Sequence, residues 1–298
     1  MHVFVTGATG HIGSAVVTEL LEAGHRVTGL ARSDEGAAAL TANGATAHRG
    51  DLDDLDGLRA AAAAADGVIH LAFIHDFDDY AGAAETDLRA VEAIGEALVG
   101  SDRPLVVTSG TLMLAFVGQG SFATEHDTLP GGPRIDSENL AIALAERGVR
   151  SSVIRLSPLV HSSLDHHGFA HHLISSARNA GVSAYIGDGS NRWPAIHTLD
   201  AAHLYRLALE QAPAGTRLHG VADEGVPFRD IAGVIGSHLN LPVVSIASEQ
   251  APDHFGFLAA FAALDNPTSN ALTQKVLDWQ PERPGLIEDL DEGHYFSE

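Results

Sequence analysis

The chain has 298 residues, of which 45% are hydrophobic and 19% are charged, so it can bury the core of one large α/β unit or roughly two domains. Its 17 Lys and Arg face 39 Asp and Glu, and the formal net charge of -22 disfavours binding to nucleic acid or to an anionic membrane. The absence of cysteine excludes disulfides, thiolate nucleophiles and cysteine-ligated metals.

The sequence shows no secretory leader and no apolar run of the roughly 20 residues that a membrane span requires. We therefore expect a soluble, cytoplasmic protein. Its expected partner is a small-molecule substrate, with neither nucleic acid nor membrane involved.

Predicted strands and helices alternate along the first half of the chain. Apolar runs predict strands at about 2–6, 26–30, 45–48, 68–72, 104–108 and 150–156, and helical patterns cover about 11–23, 34–42, 54–64, 83–99 and 134–147. This alternation predicts a parallel sheet with helices on both faces, which is a doubly wound Rossmann α/β fold.

The alternation stops after Pro158. Residues 160–192 are rich in His, Ser and Gly, whereas a helix near 199–210 and a strand near 217–221 are expected to return to the sheet. We predict a cofactor domain of residues 1–160 plus about 193–225. A smaller, discontinuous substrate lobe would contain about 161–192 plus 226–298.

Residues 6–13 read TGATGHIG, directly after the first predicted strand and at the start of the first helix. Gly7 permits a tight turn, Gly10 lets backbone approach a pyrophosphate, and Gly13 allows close packing of helix on sheet. The free N–H groups and positive dipole of the helix start then face the phosphates. The segment predicts a dinucleotide-binding loop, in which Thr9, His11 and Ile12 are also expected to contact the cofactor.

The residues after the second strand bear on the choice between NAD and NADP. An acidic side chain there would bind the ribose 2′-hydroxyl of NAD, but Arg32 and Ser33 occupy this place. A guanidinium suits a 2′-phosphate and also stacks on adenine, so we predict NADP(H); a solvated surface arginine is the alternative. Further cofactor contacts are expected at Asp51, Leu52, Leu71, Ala72, Phe73, Thr108, Arg134, Ser157, Pro158, Leu159 and Val160.

Together these segments resemble the short-chain dehydrogenase/reductase superfamily, in particular its extended and atypical, epimerase- and dehydratase-like branch. The resemblance covers roughly residues 1–225 and implies a Rossmann domain with a C-terminal substrate lobe. It is carried by TGATGHIG and by the segments Asp51-Leu52, His70-Leu71-Ala72, Val107-Thr108-Ser109, Arg155-Leu156-Ser157-Pro158 and residues 191–197 before Asp200.

The sequence departs from the superfamily at its Tyr-x-x-x-Lys pair. Arg134 and Glu138 stand where the tyrosine and lysine are expected, and the chain's only lysine is the distant Lys275. Arginine is a poor proton donor because its pKa exceeds about 12, and glutamate reverses the charge of lysine. The usual proton relay is therefore absent.

Other groups are candidates for the chemistry that remains. Ser109 and Thr111 are expected to orient the reacting group. Glu138 would suit a cationic iminium substrate, or would simply pair with Arg134 one helical turn away. Tyr185 and His197, from the second lobe, are candidate proton donors. The substrate is expected to contact His75, Ser109, Tyr185 and Trp193, the last by stacking on an aromatic ring.

The histidines His161, His166, His167, His171 and His172 suggest a metal site, but they lack the glutamate of a zincin motif, and we expect no metal.

Taken together, the predicted cofactor and site residues favour an NADPH-dependent reductase of a C=N or C=O bond. A catalytically silent NADP-binding sensor is the alternative. An epimerase or dehydratase is disfavoured because those chemistries rely on the missing tyrosine. The helices near 83–99 and 134–147, with their apolar residues, resemble those that pair in dimers of the superfamily, and this resemblance implies a homodimer.

Overall fold

The computed structural model describes residues 1–76, 79–118 and 121–297 of the chain. The strands are β1 His2–Thr6, β2 Arg26–Ala31, β3 Thr46–Arg49, β4 Gly67–His70, β5 Pro104–Gly110, β6 Arg150–Leu156, β7 Leu159–His161, β8 Ser183–Ile186, β9 Arg192–His197, β10 Thr216–Gly220, β11 Asp223–Pro227 and β12 Val243–Ile246. The α-helices are α1 His11–Glu22, α2 Asp34–Ala42, α3 Leu55–Ala64, α4 Tyr80–Leu98, α5 Leu112–Gly118, α6 Ile135–Ala143, α7 Phe169–Ala180, α8 Thr198–Gln211, α9 Phe228–Leu239, α10 Ala251–Phe255, α11 Ala259–Ala262, α12 Ala271–Leu277 and α13 Leu286–Asp291.

Seven strands form one parallel sheet in the order β10-β6-β5-β4-β1-β2-β3. The chain leaves β1 for one half of the sheet and later returns to β4 beside it, so the strand order reverses between these two strands. Ligands of open α/β sheets bind at such a reversal, outside the carboxyl ends of the strands. The structure confirms the predicted doubly wound Rossmann fold.

Helices cover both faces of this sheet because both faces of its strands are apolar. On one face, α1 and α8 pack together over β1, and their buried residues include Val16, Leu20 and Leu204. On the other face, α3, α4 and α6 enclose a core that contains Leu58, Ile94 and other aliphatic side chains.

The helices of the predicted dimer interface use most of their apolar residues inside the chain. Val91, Ile94, Leu98 and Leu144 are almost completely buried in the core beneath α4 and α6. The apolar stripe read from the sequence is therefore largely an intramolecular packing surface, and dimerisation through it remains a prediction.

The second lobe has its own sheets, β11-β9-β7 and β12-β8, and its own core around Trp193, Phe228 and Phe255. This differs from the predicted boundaries, because β7 and β9 pair with each other in the lobe rather than with the main sheet. Conversely, α12 and Trp279 of the C-terminal part pack on the Rossmann core. The last quarter of the chain thus contributes to both units.

Candidate active site

The TGATGHIG segment forms the expected turn between β1 and α1. Gly7 has φ +68°, and a Cβ atom on it would lie 2.7 Å from the backbone nitrogen of Ala72. A Cβ on Gly13 would lie 1.9 Å from the carbonyl oxygen of Gly7, so only glycine fits at this crossing of helix and loop. Gly10 precedes α1, whose first turn has no acidic residue and no capping side chain. These features fit a pyrophosphate at the helix N-terminus.

His11, the first residue of α1, has its side chain directed at the second lobe. Its Nε2 lies 2.6 Å from Thr198 Oγ1, and its Nδ1 lies 3.6 Å from the buried carboxylate of Asp165. Burial lowers the pKa of His11 more than Asp165 raises it. His11 therefore connects the loop to the lobe through its ring, and its backbone N–H is the group available to a phosphate. Thr9 is exposed beside it, and Ile12 is half-buried.

The edge expected to meet the adenosine carries two guanidinium groups. Arg32 is exposed directly after β2, while Ser33 caps α2 by accepting a hydrogen bond from Gly36. Arg49, which the sequence analysis did not select, pairs in register with Ala31 and donates to its carbonyl oxygen. Asp34 is fully exposed and lies 3.3 Å from Arg49. Arg49 lies at the end of β3, adjacent to the end of β2, and this position in the sequence could have identified it.

The remaining predicted cofactor residues lie at the carboxyl edge with different exposure. Asp51 is exposed and accepts hydrogen bonds from the next turn, whereas Leu52 is buried in the core. Leu71, Ala72 and Phe73 are half-buried along the cleft. Farther along the edge, Ser157 donates to the Gly220 carbonyl, Pro158 and Val160 are half-buried, and Leu159 is buried in the small-lobe core.

Arg134 lies in the centre of this edge. Its guanidinium donates to the Thr108 carbonyl oxygen at 2.6 Å and lies 4.1 Å from the ring centroid of Phe73. Its backbone is left-handed, with φ +67°, a conformation that disfavours non-glycine residues by about 1–3 kcal/mol. Such strain persists only where surrounding contacts fix the residue, and here contacts to β5 and Phe73 fix the side chain.

A chain of buried polar side chains connects Arg134 to α4, β4 and β1. Asp87 on α4 lies 3.9 Å from Arg134 and 3.2 Å from His70 Nε2, and His70 Nδ1 lies 2.8 Å from Thr6 Oγ1. Burial opposes ionisation of Asp87, but Arg134 and His70 outweigh it and hold the pKa of this carboxyl below its usual value. Asp87 is therefore a carboxylate, and its negative charge stabilises the positive charge of Arg134.

The Thr108 side chain extends the network away from Arg134. Its hydroxyl donates to the His70 carbonyl and lies 2.7 Å from the hydroxyl of Tyr205 on α8. Tyr205 is completely buried, and burial raises its pKa, so it remains neutral. Tyr205 is connected to Arg134 only through Thr108 and has no exposed surface for a substrate. A second tyrosine, Tyr80, has its ring centroid 5.6 Å from that of Phe73, and burial raises its pKa by more than the charge of Arg134 lowers it.

The structure contradicts the role predicted for Glu138. Its carboxylate is fully buried and accepts from Nε and Nη2 of Arg155 at 3.0 and 2.6 Å, and from Nε of Arg217 at 2.7 Å. Burial opposes its ionisation, but these two guanidinium groups hold its pKa below the usual range. Glu138 is thus a charged structural residue, and it pairs with neither a substrate cation nor Arg134.

The predicted substrate-orienting hydroxyls are both buried at the end of β5. Thr111 accepts a hydrogen bond from Asn266 at 3.2 Å, which brings the C-terminal part of the chain to this point. Within the described part of the chain, Ser109 Oγ has no hydrogen-bond partner within 3.5 Å, yet its hydroxyl is near enough to Glu138 to help lower the pKa of that carboxyl. The role of Ser109 in orienting a reacting group therefore stays a prediction.

The candidates from the second lobe do not gather around Arg134. Trp193 is 0% exposed and packs on Phe228 in the lobe core, which contradicts its predicted stacking on a substrate. Tyr185 is half-buried in β8 against Gly189. His197 caps α8 through Nδ1, and burial lowers its pKa, so its ring is neutral and a poor proton donor.

His75, which follows β4 in the Rossmann domain, is the remaining predicted substrate contact. Its ring is adjacent to that of Phe73, and desolvation and the charge of Arg134 lower its pKa.

The histidine run serves local contacts. His161 Nδ1 lies 2.9 Å from the carboxylate of Asp289, and His171 Nε2 donates to the Asp165 carbonyl oxygen. Among the described residues, none of the five histidines belongs to a group of three side chains with metal-ligand spacing. In the same described part of the chain, no helix is both long and apolar enough to cross a membrane.

Comparisons with known proteins agree with this fold. The sequence matches the model of the NAD dependent epimerase/dehydratase family over residues 3–219, and the chain belongs to that family. It is therefore an NAD(P)-dependent protein of the oxidoreductase type, within the extended branch that the sequence resembled.

Similar proteins of nearly the same length occur in two yeasts. An uncharacterized protein of Schizosaccharomyces pombe is 51% identical, with 99% of this chain and 100% of that protein covered. An uncharacterized protein of Saccharomyces cerevisiae is 44% identical, with 97% and 98% covered. Among solved structures, the dTDP-glucose 4,6-dehydratase DesIV of Streptomyces venezuelae, with NAD bound, has a TM-score of 0.78, 18% identity and coverage of 99% and 97%. That likeness shows the fold.

Proposed function

We propose that the chain is an NADPH-dependent reductase that transfers hydride to the C=O bond of a small organic substrate. The observation that carries the proposal is Arg134, a strained, anchored guanidinium at the place of the superfamily's catalytic tyrosine. The bound dinucleotide would supply the hydride. A positive charge beside the carbonyl oxygen would stabilise the alkoxide that develops during the transfer.

Arg134, Asp87 and Ser109 would each contribute to binding the carbonyl oxygen and stabilising the alkoxide. Arg134 would donate hydrogen bonds to the substrate oxygen, and Asp87 holds its charge in place from below. Ser109 would orient the same oxygen from β5. A guanidinium is not a useful proton donor, so the alkoxide would take its proton from water.

The buried state of Glu138 supports a C=O substrate over a C=N substrate. A free carboxylate beside the nicotinamide would have favoured a cationic C=N group, but two arginines neutralise Glu138. The charge next to the cleft is that of Arg134, which repels an iminium and attracts a developing oxyanion. Carbonyl reduction is accordingly the proposed reaction.

The choice of NADPH rests on Arg32 and Arg49. Both guanidinium groups lie at the adjacent ends of β2 and β3, where the 2′-substituent of the adenosine ribose is expected. Arg49 also offsets the charge of Asp34, the nearest acidic group on α2. A homodimer is proposed as well, and light scattering that gives a monomer mass would contradict it.

Replacement of Arg134 tests the reaction. Arg134→Met keeps much of the side-chain length and removes the charge, and we expect kcat for a carbonyl substrate to fall by about 10²–10³, as on loss of one oxyanion donor. Although the sequence places Arg134 among the cofactor contacts, its guanidinium lies against the Thr108 carbonyl and the Phe73 ring, so we expect NADPH binding, measured by fluorescence, to fall much less than kcat. Arg26→Met on the exposed start of β2 is the control. Unchanged kcat in Arg134→Met refutes the mechanism. NADPH binding by the wild type without turnover across aldehydes and ketones would favour the silent sensor instead.

A further inference from the structure

Two phenylalanines are in contact where the second lobe meets the segment that follows β5. Phe116, on α5, is 56% exposed, and its ring centroid is 6.4 Å from that of Phe261 on α11. Phe261 is half-buried against the small-lobe core. A large aromatic side chain that stays more than half exposed beside another ring provides apolar area for a contact. We call Phe116 and Phe261 the aromatic rim.

The segments that carry the rim are attached to the strand end of the proposed active site. α5 begins at Leu112, three residues after Ser109, and therefore leaves β5 at the carboxyl edge of the sheet. On the lobe side, Asn266 follows α11 closely and donates to Thr111. The chain segments that carry the rim are thus both attached to the strand end where the substrate carbonyl would lie.

The charge of the lobe argues against a diphosphate at this place. Residues 226–297 contain ten Asp and Glu but only three Lys and Arg. Arg192, a further arginine of the lobe, forms a two-point ion pair with Asp265. A sugar nucleotide brings two negative charges that need cationic partners, whereas an uncharged aromatic ring needs only apolar area.

We propose that the aromatic rim binds an uncharged, aromatic-ring-bearing part of the carbonyl substrate, so that the substrate class is an aryl aldehyde or ketone rather than a nucleotide sugar. This inference rests on the proposed function, since the rim is assigned to the same substrate. It replaces Trp193, which is enclosed in the lobe core, with the exposed ring of Phe116 and the half-buried ring of Phe261.

The test compares benzaldehyde with acetaldehyde, two aldehydes that differ in the ring. Phe116→Ala and Phe261→Ala should each lower kcat/KM for benzaldehyde by about tenfold, in line with the loss of one apolar contact region in a pocket. Their kcat/KM for acetaldehyde should stay within about twofold. Val243→Ala, at another exposed apolar residue on β12, is the control and should change neither value. Equal losses for both aldehydes, or no loss for benzaldehyde, would overturn the inference while leaving reductase activity established.

A second readout separates this inference from the proposed function. Saturation-transfer NMR measures contact between the protein and acetophenone in the presence of NADPH, whether or not turnover occurs. Transfer that disappears in the double variant Phe116→Ala/Phe261→Ala supports the rim even if no carbonyl is reduced. Transfer that persists in the double variant, transfer seen only to UDP-glucose, or a change confined to the oligomeric state in light scattering contradicts it.

Discussion

Replacement of Glu138 by glutamine separates a structural role for this residue from a catalytic one. Glu138 and Arg155 are both completely buried, and three charge-assisted hydrogen bonds join the carboxylate to Arg155 and Arg217. Removal of one charge from a buried pair costs about 3–5 kcal/mol because the partner charge stays buried without compensation. The amide retains one acceptor oxygen, so we expect Glu138→Gln to destabilise the chain by about 3 kcal/mol.

Urea unfolding at pH 7 measures this difference, and thermal unfolding should show a lower Tm by roughly 6–12 °C. Glu85→Gln, which breaks an exposed pair with Arg89 on α4, is the matched control and should cost less than about 1 kcal/mol. The folded-state pKa of Glu138 lies below its unfolded value, so its stabilisation is complete above about pH 4.3 and disappears as pH falls through the folded pKa. The gap between wild type and Glu138→Gln should close over that acidic range.

The result that would refute this reasoning is specific. If Glu138→Gln unfolds within about 1 kcal/mol of wild type, the buried network does not carry the expected energy. A fall in kcat without a change in stability would restore the catalytic role that its position in the sequence had suggested.

Three further predictions address the cofactor and the lobe. Gly13→Ala should abolish NADPH binding in calorimetry because the Cβ of the alanine would overlap the Gly7 carbonyl. The control variant Gly233→Ala, at a glycine with open space around it, should bind NADPH normally. Equal NADPH affinities of the two variants would contradict the loop geometry. Arg32→Ala and Arg49→Ala should each weaken NADPH binding by about tenfold or more and leave NADH binding unchanged, as expected for lost 2′-phosphate contacts; a parallel loss for both coenzymes would point elsewhere. Trp193→Phe should lower stability by about 1–3 kcal/mol without raising KM, and a raised KM at unchanged stability would return Trp193 to the substrate site.

The main sheet and the phosphate loop were predictable because their determinants are local. Apolar strand runs, helix periodicity and the glycines of residues 6–13 each act within a few neighbouring positions. The small-lobe strands β7 and β9 were missed because β7 has only three residues and its partner β9 lies more than thirty positions away. Their pairing depends on long-range contacts that leave no periodic pattern in the sequence.

The site was predictable in location more than in chemistry. The sequence analysis placed Arg134 and Glu138 at the departure from the superfamily, but the sequence gave no sign that Arg155 and Arg217 would contact Glu138 from 17 and 79 positions away. Likewise, Asp87 and His70 come together only because α4 packs beside β4. The charge of a cleft depends on which ions are already paired, and that pairing is a property of the tertiary structure.

The measurement that tests the account most directly is hydride transfer itself. The wild-type protein is incubated with NADPH carrying deuterium at both C4 positions and with benzaldehyde or acetaldehyde, and the alcohol product is analysed by mass spectrometry and NMR. The account predicts one deuterium on the carbinol carbon of the product, with markedly less product from Arg134→Met. An alcohol without deuterium, or bound NADPH that transfers none to any carbonyl substrate, would contradict it.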